Sequence, residues 1–204
     1  MTSRESSTAT IRLASEQDAS AIAAIYRPAV TSTVISFETE PPDEQEIRRR
    51  IAETVTSYPW LVLERASEVA GFAYASQHRT RAAYQWSVDV SAYVDERFRR
   101  QGVGHGLYVS LFAILSAQGF VNAYAGIALP NPASVALHER VGFTSVGVYR
   151  NVGYKLGAWR DVGWWSRSLG SHESPPPRIL GLDALQKSPD WQALLGTGLP
   201  AVRV

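Results

Sequence analysis

Residues 99–107 read RRQGVGHGL, two arginines and three alternating glycines set directly before an apolar run in which Leu107, Leu111, Phe112 and Leu115 recur at helical spacing. A helix that begins on so little side chain leaves its first N–H groups bare. Those groups have no intrahelical partner and sit at the positive end of the helix dipole, so the stretch is a natural seat for an anion, phosphate first among them. The run before it, Tyr84–Val94, and the run after it, Val121–Ala128, both have strand character. Strand, glycine loop, helix and strand therefore form the centre of the predicted fold, with the helix packed on a sheet.

The flanking segments extend this unit in both directions. Ile11-Arg12-Leu13 reads as a short strand, and Ser15 with Asp18 resembles a capping box that opens a helix carrying Ile22, Ile25 and Tyr26. Asp43 and Glu46 repeat that signal ahead of Ile47, Ile51 and Val55, a second amphipathic helix. Trp60–Ala66 and Val69–Ser76, parted by Ser67-Glu68, read as an antiparallel hairpin. Beyond the glycine helix, Gly119 suits a left-handed C-terminal position, Asn131-Pro132 supplies a cap and a first helical proline, and Gly142 closes that short helix before a strand from Phe143. A last aromatic strand spans Val162–Leu169, after which SHESPPPR marks a change of composition. The predicted order is β-α-α-β-β-β-α-β-α-β-β, an α+β fold. Its divisions are a disordered tail at 1–10, a domain at 11–169, and a linker with a C-terminal extension at 170–204.

At 204 residues the chain has room for one substantial domain, and its formal net charge of +1 excludes the footprint of a nucleic-acid binder. The absence of cysteine removes disulfides, thiolate catalysis and cysteine-based zinc sites. MTSRESSTAT lacks an apolar leader, and no segment approaches the roughly 18 apolar residues of a membrane span, so a cytoplasmic protein with a small partner, no metal and no membrane contact is expected.

The glycine stretch is neither a Walker loop, since no Gly-Lys-Ser/Thr follows, nor a dinucleotide fingerprint, since the full GxGxxG spacing is missing. It resembles the Arg/Gln-x-x-Gly-x-Gly/Ala signature of the GNAT acetyltransferase superfamily, met by Arg99, Gly102 and Gly104. Asn131, Ser134, Leu137-His138-Glu139 and Gly142-Phe143 are similar to the second half of the coenzyme A site in its phosphinothricin N-acetyltransferase branch. So are Arg79-x-Arg81-x-x-Tyr84-x-Trp86, Ser91-x-Tyr93-Val94, and the run from Gly153 through Asp161-Val162. The resemblance covers about residues 10–169. It implies a mixed, mostly antiparallel sheet of about six to seven strands with about four helices, and a homodimer. It further implies acetyl-CoA held by Tyr93, Val94, Arg99, Arg100, Gln101, Gly102, Val103, Gly104, His105, Gly106, Asn131 and Ser134.

Acetyl transfer to an amine needs a neutral nucleophile, whereas an α-amine of pKa about 8 is mostly protonated at neutral pH. Alternation along Trp86–Val94 places Ser87, Asp89, Ser91 and Tyr93 on one face. Asp89 is the candidate base, at a position where the resemblance implies glutamate, so the shorter side chain acts directly or through a water. His138, one helical turn after Ser134, is the second candidate, as acid toward the departing thiolate or as a partner in deprotonation. Arg79 and Arg81 suit capture of a carboxylate or phosphinate, with Tyr84 and Ser91 beside them and Phe37 as a pocket wall. Trp159, Trp164 and Trp165 read as sheet core or dimer surface rather than as a ligand box. The expected activity is acetylation of the α-amine of a small acidic amino-acid analogue. Acetylation of a protein N-terminus or a polyamine, or a catalytically silent coenzyme A sensor, are the alternatives.

Overall fold

The computed structural model describes residues 9–203, so the polar residues 1–8 assigned above to a tail lie outside it. Its seven strands are β1 (Ala9–Leu13), β2 (Trp60–Arg65), β3 (Glu68–Gln77), β4 (Ser87–Val94), β5 (Asn122–Leu129), β6 (Thr144–Lys155) and β7 (Ala158–Ser168). They form one sheet in the order β1-β2-β3-β4-β5-β7-β6. Every neighbouring pair is antiparallel except β4 and β5, which run parallel. The helices are α1 (Ala19–Thr31), α2 (Glu44–Thr54), α3 (Val103–Gln118), α4 (Pro132–Arg140), α5 (Leu182–Gln186) and α6 (Trp191–Gly196).

Local chemistry sets the boundaries where the sequence places them. The Asp43 carboxylate accepts the Glu46 N–H at 2.8 Å and starts α2. Asn131 accepts the Ser134 N–H at 3.1 Å and starts α4 with Pro132 behind it. Gly119 and Gly142 follow α3 and α4 with φ of +95° and +87°, the left-handed values that side chains resist. Two strand starts differ clearly from expectation: β7 begins at Ala158 rather than Val162, and Ala82–Tyr84 is a 3-10 turn, so that β4 begins only at Ser87. Tyr84 N–H bonds Arg81 O at 3.0 Å and Gln85 N–H bonds Ala82 O at 3.1 Å, so these residues turn on themselves, and the Trp86 carbonyl is the first to accept from the β5 side.

The central strands β2–β4 are covered on both faces, whereas β6 is exposed. Alternate residues Leu61, Leu63, Ala73, Ala75, Val88 and Val90 meet Leu107, Leu111 and Leu115 of α3 on one side. On the other, Trp60, Val62 and Phe72 meet Ile22 and Tyr26 of α1 and Ile47 and Ile51 of α2. This second face carries Asp89, Ser91 and Tyr93, because Tyr93 stacks on Phe72 at 5.3 Å and edges onto Tyr26 at 4.8 Å.

The C-terminal segment runs back along α3 from its end to its beginning. Leu180 N–H bonds Gln118 O at 2.7 Å, Ser110 Oγ donates to Leu195 O at 2.7 Å and accepts from Gly198 N–H at 3.0 Å, and Arg203 N–H bonds Gln101 O at 2.9 Å. Leu182, Leu185, Trp191, Leu195 and Val202 are buried in the same core as α3. Because Trp191 is only 9% exposed there, Trp191→Ala leaves a large cavity and is expected to lower the unfolding free energy by about 3 kcal/mol, measured by urea titration.

Candidate active site

The parallel strands β4 and β5 pair over Ser87–Asp89 with Asn122–Tyr124. Past this short ladder β4 pairs with β3 and β5 with β7, so the two parallel strands open into a wedge. The phase of β4 identifies the amides that face it. Asp95 N–H bonds Ala70 O on β3 at 3.0 Å, and the alternation turns the amides of Tyr93 and Ser91 to β3 as well. Ala92 and Val94 accordingly present their N–H groups to the wedge.

The glycine stretch lies at the mouth of the wedge. Arg100 and Gly102 take left-handed φ of +63° and +83°, and Gly106 N–H to Gly102 O, 2.8 Å, is the first helical bond. The amides of residues 103–105 precede that ladder. The glycines serve two different neighbours. A Cβ on Gly104 would lie 3.1 Å from Leu137 of α4 and 3.4 Å from Val94, on the wedge side. A Cβ on Gly102 would fall 2.0 Å from Ala201 O, and one on Gly106 2.8 Å from Gly198 O, so these two are bare to admit the C-terminal segment. The Gln101 side chain is held by Arg65 and by Arg97 O. Arg99 pairs with Glu96 at 3.5 Å, and Arg99 and Arg100 are exposed. Burial, with Arg140 nearby, lowers the pKa of His105 and favours its neutral form.

Asp89 sits at the vertex. Its Oδ1 lies 2.7 Å from Nδ1 of His78, the residue just past β3. The register explains the meeting: Ser76 is opposite Asp89, so His78 is its diagonal neighbour on the same face. The imidazole stacks on Tyr124 at 4.3 Å and takes the edges of Tyr84 at 6.0 Å and Trp164 at 6.4 Å. Burial raises the Asp89 carboxyl above its ordinary value, while the His78 hydrogen bond and the charges of His78 and Arg79 oppose that rise. Periodicity does not single out His78 or Tyr124. The available signal is their strand positions relative to Asp89.

A cavity of about 430 Å³ opens beside the vertex, walled by Tyr93, Gly126, Trp164, Tyr149 and Phe37. Trp164 thus serves neither role expected of it, since it faces this cavity, whereas Trp165 is core and Trp159 is exposed. Phe37 lies over Gly153, whose missing Cβ would come 2.2 Å from the ring. Its loop is tied at both sides. Lys155 Nζ donates to Ser36 O at 2.6 Å and Glu38 O at 2.8 Å, and Glu38 accepts from Tyr26 OH at 2.9 Å and from Arg50 at 2.7 Å.

His138 is placed differently from Asp89. It is buried with Nδ1 2.7 Å from Ser134 O, which can only accept, so Nδ1 carries the hydrogen and Nε2 accepts from Tyr108 OH at 2.9 Å. Both ring nitrogens are occupied, and burial lowers its pKa against the bond to Ser134 O. Asn131 is engaged as the cap of α4, and Ser134 Oγ lies 3.3 Å from His138 Nδ1. Arg79 donates to His78 O at 2.8 Å with its guanidinium 5.8 Å over Trp164, while Arg81 and Tyr84 are exposed on the same loop. Ser91 lies between Asp89 and Tyr93 on the same strand face, opposite Tyr74.

Among the described residues no cluster of His, Asp or Glu is arranged to hold a metal, and no helix is long and apolar enough to cross a membrane. Residues 11–164 match the Acetyltransferase (GNAT) domain family. The chain is 41% identical to a phosphinothricin N-acetyltransferase of Streptomyces viridochromogenes over 82% of its length and 91% of the relative's. It is 31% identical to an L-methionine sulfoximine/L-methionine sulfone acetyltransferase of Salmonella typhimurium, over 81% and 98% of the two chains. The crystal structure of a GNAT superfamily phosphinothricin acetyltransferase from Sinorhizobium meliloti in complex with acetyl-CoA superposes with a TM-score of 0.79 at 35% identity, covering 83% of this chain and 93% of that one. With a family match over residues 11–164 and relatives covered over most of their length, this chain belongs to the GNAT acetyltransferases.

Proposed function

We propose that the protein acetylates the α-amine of a small acidic amino-acid analogue, of the phosphinothricin, methionine sulfone or methionine sulfoximine type, using acetyl-CoA. The observation that carries this reading is the wedge. At about 3.4 Å per residue, its anion seat and its vertex base are separated by roughly 17 Å of open strand edge. A ligand that fits must carry phosphate at one end and a reactive group at the other, joined by an extended arm able to bond a free strand edge. Acetyl-CoA has that form. The first-turn amides of α3 would hold its pyrophosphate, and the acetyl group would come to the vertex.

The remaining roles follow from the same geometry. The base function resides at the vertex, in the group built around the Asp89 carboxylate and its hydrogen-bonded partner His78. The acceptor amine attacks directly, without an acyl-enzyme, and the Ala92 N–H aimed into the wedge stabilises the oxyanion that develops. Arg79 and Arg81 offer the acceptor's acid groups charge-assisted bonds at the cavity edge and would repel a polyamine. His138, with both nitrogens engaged, positions α4 against α3. The β6–β7 hairpin exposes Val146, Tyr149, Tyr154 and Trp159, an apolar surface suited to a second copy, and we read the enzyme as a cytoplasmic homodimer.

Three measurements test this reading. Acetyl-CoA consumption should be strongest with phosphinothricin, methionine sulfone or methionine sulfoximine; preference for polyamines or peptides would redirect the assignment. Gly104→Val drives two methyl groups toward Leu137 and Val94, which lowers the melting temperature through overpacking, and titration calorimetry of the folded variant should show a raised acetyl-CoA dissociation constant. In Arg79→Ala and Arg81→Ala the acceptor KM should rise by about tenfold or more, the loss of one charge-assisted contact worth about 1.5–3 kcal/mol, with acetyl-CoA affinity unchanged.

A further inference from the structure

Asp89, whose side chain is 30% exposed, does not stand alone at the vertex. One carboxylate oxygen is committed to His78 Nδ1 at 2.7 Å, and the imidazole also meets Trp164, a wall of the cavity, with ring centroids 6.4 Å apart. A carboxylate only accepts, so Nδ1 carries the hydrogen when the imidazole is neutral, and Nε2 is left with its lone pair. Among the described residues Nε2 has no hydrogen-bond partner. This is the reverse of His138, whose two nitrogens are both engaged inside the protein. The imidazole is fixed in place by Tyr124 beneath it and by the edges of Tyr84 and Trp164, and Trp164 also lines the cavity. The His78 side chain is 11% exposed, so the ring is largely enclosed but still reaches the surface.

We infer that His78 is a catalytic residue, its Nε2 taking the proton from the acceptor amine, and that Asp89 is the positioning carboxylate that sets its tautomer and stabilises the imidazolium. This rests on the acetyltransferase reading above and names the atom that does its base chemistry. Imidazole is the commonest general base, and a carboxylate bonded to its other nitrogen stabilises the cation that it becomes on taking a proton. The same orienting logic joins aspartate, histidine and a proton donor in hydrolytic triads.

The step balances without any further reagent. The acceptor ammonium gives one proton to His78 Nε2, and the freed nitrogen lone pair forms the N–C bond at the thioester carbonyl carbon. The C–S bond then breaks with its electron pair on sulfur. The proton still carried by the new amide nitrogen goes to the thiolate, and His78 returns its own to solvent. The charged groups facing His78 are Asp89 from β4 and Arg79 from its own loop, and the titratable hydroxyls of Tyr84 and Tyr124 complete its surroundings.

The test combines a spectroscopic and a kinetic measurement. In the wild-type protein, nitrogen NMR of labelled histidine should show neutral His78 as the Nδ1–H tautomer, and Asp89→Ala should shift it toward Nε2–H. His78→Gln should lower kcat by about 10²- to 10⁴-fold with acetyl-CoA affinity kept, and added imidazole should restore part of the rate of His78→Gly. An Nε2–H tautomer in the wild type, or a His78→Gln enzyme of undiminished kcat, overturns the proposal and returns the base role to Asp89 alone. A wild type that acetylates no amine on the acceptor panel instead overturns the functional reading itself, a result obtained before any variant is made.

Discussion

Everything distinctive in this molecule depends on β4 and β5 being parallel neighbours that pair only briefly. Parallel strands need a long crossover, here α3, and the crossover must begin where β4 ends. The helix start is thereby delivered to the open end of the wedge, and the paired ends of the strands form its closed end. One ladder, over Ser87–Asp89 and Asn122–Tyr124, thus puts the start of α3 at one end of the open strand edge and Asp89 at the other. Longer pairing would close the strand edge, and none at all would leave Asp89 without Tyr124 beside it.

The helices and strands of the first 169 residues are readable because each is announced by short-range chemistry. The caps at Asp43 and Asn131, and the glycines at 119 and 142, act within a single turn, and apolar spacing shows which face is buried. The polar face holding Asp89 follows in the same way. His78 does not, because its partnership depends on the β3–β4 register, and the connection between those strands is an irregular loop from Arg79 to Trp86 rather than a tight turn that would fix the count. His138 shows the opposite difficulty. Its spacing from Ser134 is correct, but Tyr108, thirty positions earlier in sequence, decides what its second nitrogen does.

The pairing of Asp89 with His78 also alters how a short acidic side chain on this strand is understood. Aspartate reaches less far than glutamate, and in isolation that loss would weaken a base at the vertex. With an imidazole on the diagonal, the shorter arm holds the ring at hydrogen-bond distance, and the ring supplies the reach. The pair occupies the position together, and neither residue can be assessed alone.

The packing of the C-terminal segment on Gly102 and Gly106 bears on how mutational data from this loop are to be read. A glycine-rich phosphate loop is ordinarily scanned on the assumption that every glycine answers to the ligand. Here Gly104 faces the wedge, while Gly102 and Gly106 face backbone that arrives from nearly a hundred positions downstream. Intolerance at those two sites records intramolecular docking as much as affinity, so a substitution profile along RRQGVGHGL superimposes two separate selections. They come apart only when loop variants are compared with changes in the segment that covers them.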